Sequence, residues 1–78
     1  MHNTNRAEKI IVQTWIDRWV RDTPKLTVQR YQRVAGWMGG LTYKEIGDME
    51  GVSFQAVARS VKRDVKLIIE YARAQSEV

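Results

Sequence analysis

Apolar side chains in the first third of the chain recur at Val12, Trp15, Ile16, Trp19 and Val20, the i, i+3, i+4, i+7, i+8 spacing that lines one face of an α-helix. Arg18 and Arg21 fall between them on the watery side, so the pattern predicts a helix over 5–22. Asp22-Thr23-Pro24 ends it, because the residue before proline is pushed out of the helical region and proline cannot extend the hydrogen-bond ladder. Thr27 then has the chemistry of an N-cap, with Leu26 and Tyr31 in the positions of a hydrophobic staple. The second helix is expected over 28–38, its inner stripe being Val28, Tyr31, Val34 or Ala35, and Met38. Gln29, Arg30, Gln32 and Arg33 are assigned to its outer side as solubilising positions, and Trp37, off the stripe, is expected to be partly exposed. Gly39-Gly40 closes the helix, since glycine takes the left-handed cap conformation without a steric penalty.

The next start signal is a capping box, Thr42-Tyr43-Lys44-Glu45, in which the Thr hydroxyl accepts from the third amide and the Glu carboxylate accepts from the cap amide. A helix of about two turns follows, from Tyr43 to Glu50, and Gly51 stops it. Ser53 caps a last helix that meets no breaker until about residue 74. Val57, Val61, Val65 with Asp64 on its flank, Ile68 and Ala72 form its apolar stripe. With no strand alternation, repeat or low-complexity tract, the expected fold is all-α, with four helices in a single domain over residues 1–78.

Composition narrows the chemistry. The chain has 78 residues, 13 Lys or Arg against 9 Asp or Glu for a net charge of +4, and no cysteine. Disulfides, thiolate zinc clusters and thiol nucleophiles are thereby excluded, and so short a chain has little material for a two-walled catalytic cleft. His2 is lone and next to the terminus, which argues against a metal ligand or a general base. Asp17, Asp22, Glu45, Asp48, Glu50, Asp64 and Glu70 scatter along helices without a nucleophile or a phosphate-binding loop of the Walker type. No enzyme, metal or cofactor is expected. The longest apolar run, Ile10-Ile11-Val12, falls far short of the roughly 20 residues that cross a bilayer, and the polar amino end does not resemble a secretory signal. A cytoplasmic protein is the expectation.

The segment over 43–62 has the anatomy of a helix-turn-helix. Two helices that cross steeply through a tight turn need a small residue at their contact and a glycine in the turn. Gly47 and Gly51 answer those needs, while Ile46, Val52 and Val57 are spaced to fill the wedge. The second helix of the pair is basic: over 53–66, Arg59, Lys62, Arg63 and Lys66 stand against Asp64, a balance of +3.

Leu41-Thr42-Tyr43, Glu45-Ile46-Gly47, Gly51-Val52-Ser53, and Val57 with Val61 together resemble the fourth region of bacterial sigma factors, which reads the promoter −35 element. The same run is similar to the DNA-binding modules of response regulators. The resemblance covers about 28 residues closely, and about 50 with the helix over 28–38. Glu50 departs from it, standing where an apolar residue is usual, as do Phe54 and Ala58 at positions that are often polar or basic. The other sigma regions are missing, so the type implied is a small phage or mobile-element regulator with a sigma-like fourth region. Small terminase subunits, which recognise viral DNA for packaging, share the layout.

With Val57, Val61, Val65 and Ile68 turned to the core, the opposite surface of the last helix exposes Ser53, Gln55, Ala56, Arg59, Ser60, Lys62 and Arg63. Gln55 and Arg59, one turn apart, are the expected base readers, because Gln bonds an adenine edge and Arg a guanine edge in the major groove. Lys62, Arg63 and Lys66 are assigned to phosphates, with Ser53, Lys44 and Tyr43 gripping the backbone beside the preceding helix. The expected function is therefore sequence-specific binding of double-stranded DNA in transcription regulation, with the helix that begins at Phe54 in the major groove. A packaging subunit and a polymerase-binding module are the alternatives. Trp15 and Trp19 share a face with Ile16 and Val20, which predicts core packing for at least one of them and homodimer contact through the first helix for the surplus.

Overall fold

The computed structural model describes residues 4–76. Its four helices are α1 (Thr4–Arg21), α2 (Val28–Met38), α3 (Tyr43–Glu50) and α4 (Phe54–Ser76), and the described residues contain no strand. His2 lies outside the described residues. No helix among them is long and apolar enough to cross a membrane.

The boundaries follow from caps read in the sequence. The Thr27 side chain accepts from the Arg30 amide at 3.2 Å. Thr42 completes its capping box, accepting from the Glu45 amide at 3.0 Å while its own amide donates to the Glu45 carboxylate at 2.8 Å. A Thr42→Ala variant removes one half of that exchange and should lower stability by about 1 kcal/mol, read as a shift in the urea midpoint at constant slope.

α4 is the spine of the molecule. It packs against each of the other three helices, and α2 also touches α1 and α3, in a body of 41 × 34 × 17 Å. Val57, Val61, Val65, Ile68 and Ala72 are buried as their spacing predicts, together with Val12, Ile16 and Trp19 from α1, Val34 and Trp37 from α2, and Ile46 from α3. Between α1 and α4 the Trp15 and Tyr71 rings meet edge to face at 6.2 Å. The Tyr71 hydroxyl donates to Asp22 at 2.5 Å, and this bond raises the phenol above its ordinary pKa.

The inner face of α2 differs from the expected one. Val28 is 70% exposed and Tyr31 38%, whereas Trp37 is 6% exposed. The helix is turned so that Arg30, Arg33, Val34 and Trp37, themselves at i, i+3, i+4 and i+7, face the other helices. Arg30 donates to both oxygens of Asp64, from Nη2 at 2.6 Å and Nε at 3.1 Å, and Asp64 is fully buried. Arg33 makes the equivalent fork to Glu50 at 2.7–3.0 Å. The two arginines are therefore not solubilising positions. Planar, two-pronged pairs of this kind fix orientation as well as adding energy, so α2 holds α4 through one arginine and α3 through the other. Glu50, which departs from the sigma-like pattern, has its physical reason in Arg33. Both guanidinium groups are pushed up from their ordinary pKa, chiefly by these hydrogen bonds.

Candidate nucleic-acid interface

The surface of interest is built on the junction between α3 and α4. Gly51 caps α3 with φ +76°, in the left-handed region, and the Val52 amide donates to the Gly47 carbonyl at 2.9 Å. At Gly47 the following turn comes so near that an added Cβ would lie 2.6 Å from the Val52 carbonyl oxygen. A backbone atom at that distance cannot swing aside as a side-chain tip could, so a Cβ here would force the turn itself to shift. Ile46 and Val57 fill the space between the helices, at 4% and 0% exposure, while Val52 remains 38% exposed at its edge.

Ser53 then opens α4, its hydroxyl accepting from the Ala56 amide at 3.2 Å. Because Val57, Val61, Val65 and Ile68 anchor one side of α4, the opposite side is forced outward. Gln55, Arg59, Lys62, Arg63 and Lys66 are exposed there. Asp64, the one acid in this stretch, is buried against Arg30, so the outward face is more basic than the linear sequence implies. Arg63 leans toward Asp64 at 3.5 Å. Lys44, on the first turn of α3, is exposed and pairs with Asp48 at 3.1 Å, a contact that water and salt weaken. Tyr43 is half-buried, and burial, with Glu8 nearby, raises its pKa. Its hydroxyl thus stays protonated at neutral pH and able to donate.

Compared with protein-family models, curated proteins and solved structures, the chain matches none.

Two expected contacts change. Ser60 is 5% exposed, and its hydroxyl lies buried without a hydrogen-bond partner. It sits on the flank of α4 that turns toward Asp64, four residues on, and does not belong to the outward surface. Ala56 is half-buried and offers only an edge. Trp19 is likewise spent on the core at 4% exposure, so on α1 the large apolar group left outside is Ile10, at 59%. Trp15 is half-buried under the Arg18 guanidinium, 4.9 Å from its ring centre.

Residue spacing gave no sign that Met49 would be exposed, and Phe54 was marked only through the sigma-like resemblance, as apolar at a position that is often polar or basic. Phe54, the first residue of α4, is 52% exposed, and Met49, near the end of α3, is 76% exposed. A cleft of about 500 Å³ adjoins the basic side, with Lys62, Lys66 and Tyr43 in its lining beside Trp37, Val65 and Ile69.

Proposed function

We propose that the chain is a sequence-specific double-stranded DNA-binding regulator of transcription, in which α3 and α4 form a helix-turn-helix of the sigma region 4 type. The observation that carries this reading is the outward side of α4. Gln55 and Arg59 stand exposed one turn apart on the part of the helix nearest the junction, with Lys62, Arg63 and Lys66 beyond them and the only acid of the stretch turned inward. A helix entering the major groove by its first turns presents two side chains at that spacing to neighbouring base edges, while the basic residues beyond them meet phosphates. Lys44, Tyr43 and Ser53 supply further donors where α3 lies across the backbone.

A single module with so few base contacts binds weakly alone, and a second tether, a dimer on paired half-sites or contact with polymerase, supplies the remaining affinity. Arg59→Ala is expected to lower affinity for the preferred duplex by about 1–3 kcal/mol and to relax preference at one position. Lys66→Ala should weaken all duplexes alike and reduce the slope of log affinity against log salt by about one. Titrations of both variants on preferred and random duplexes over a range of salt check this. Equal losses on both duplexes for both variants would contradict the assignment.

A further inference from the structure

Phe54 is a large aromatic side chain left half in water at the first turn of α4. The cap is Ser53, whose hydroxyl is bonded to Ala56. The staple positions around that cap, one before it and four after, are held by Val52 and Val57. The Phe54 ring is absent from the hydrophobic cluster that unites the four helices. Its neighbour in sequence is the exposed Gln55, and Arg59 stands one turn further on.

An apolar group held at the leading end of a helix that enters the major groove meets one apolar feature there, the 5-methyl group of thymine. The rest of the base-pair edge offers hydrogen-bond donors, acceptors and flat ring C–H positions, and none projects an apolar group as the methyl does. We infer that Phe54 is a specificity-determining residue that packs against a thymine 5-methyl, and that the preferred DNA carries an A·T pair at that position beside the adenine read by Gln55. The inference rests on the DNA-binding proposal and deepens it. Phe54 selects for thymine over cytosine by contact with the methyl, and α4 delivers it because Ser53 and Gly51 fix where the helix begins.

The test removes the methyl and nothing else. The preferred duplex is first obtained by selection from random sequences, and each thymine is then replaced singly by uracil, which keeps the base pair and loses the 5-methyl. For the unmodified protein, one or two positions should each lose about fourfold in affinity, the effect of one buried carbon. For Phe54→Ala that uracil penalty should vanish, and for Phe54→Leu, which keeps an apolar contact, it should persist. Because the ring is exposed, Phe54→Ala should melt close to the unmodified protein. Uracil duplexes bound as tightly as thymine ones, or a penalty that survives in Phe54→Ala, would overturn the inference while leaving DNA binding intact; in the first case Phe54 would serve a protein contact instead. Failure of the selection to enrich any sequence would overturn the DNA-binding proposal itself and this inference with it.

Discussion

Arg30→Ala is expected to destabilise the fold by about 3 kcal/mol, the lower end of the range for breaking a buried ion pair, because Arg30 is a quarter exposed while Asp64 is fully enclosed. The loss comes mainly from the carboxylate left behind. Asp64 would keep the contact with Arg63 at 3.5 Å, which is too long and too exposed to replace a two-pronged bond. In a chain of this size total stability is on the order of 4–12 kcal/mol, so the variant should melt more than about 12 °C lower. A compensated variant separates the two sources of the effect: Arg30→Met with Asp64→Leu removes both charges and should restore most of the stability. Thermal melts of the single and double variants check this, and a single variant within about 1 °C of the unmodified protein would refute it.

Gly47→Ala is the second large effect, and its sign is the informative part. Inside an ordinary helix, Gly→Ala gains about 1 kcal/mol. Here the new methyl would sit 2.6 Å from the Val52 carbonyl oxygen, so the turn must move, and the expected net result is a loss of about 1–3 kcal/mol. Gly39 is the internal control. Its φ is −81° and an added Cβ would meet only the Ala35 and Gly36 carbonyls at 3.4 and 3.6 Å, so Gly39→Ala should be neutral or gain up to about 1 kcal/mol. Because Gly47 sets the distance between α3 and α4, the proposed function further predicts that Gly47→Ala lowers affinity for a selected duplex more than for random DNA, even at a temperature where the variant is fully folded. Urea titrations and duplex titrations read the two effects separately.

Local signals and tertiary partners were legible to different degrees. The starts of α2, α3 and α4 and the end of α3 were readable because a cap is a local device: Thr27, Thr42 and Ser53 satisfy amides within three residues of themselves, and Gly51 turns the chain by its own φ. The apolar side of α4 was readable because five of its positions repeat at helical spacing. The inner face of α2 was not, because two of its four members are arginines, and hydropathy assigns an arginine to water. Only the partners reverse that assignment, and Asp64 and Glu50 lie 34 and 17 residues away in sequence. Turning α2 to bury those pairs moves Val28 and Tyr31 outward and Trp37 inward. Ser60 failed for a related reason, since it lies on the border between the two sides of α4 and the border is set by where α2 packs. The exposed face with Gln55, Arg59, Lys62, Arg63 and Lys66 is legible as the complement of the valine stripe, whereas Phe54 was marked only through the sigma-like resemblance, as an apolar residue at a position that is often polar or basic.

The most direct test of the proposed function is selection of duplexes from a random pool by the intact chain, with affinity then measured at physiological salt. The expected result is enrichment of a short motif containing an A·T and a G·C pair at neighbouring positions, bound tighter than random DNA by a factor on the order of 10³. A pool that remains random, with all duplexes bound equally, would contradict the claim that the outward side of α4 reads DNA.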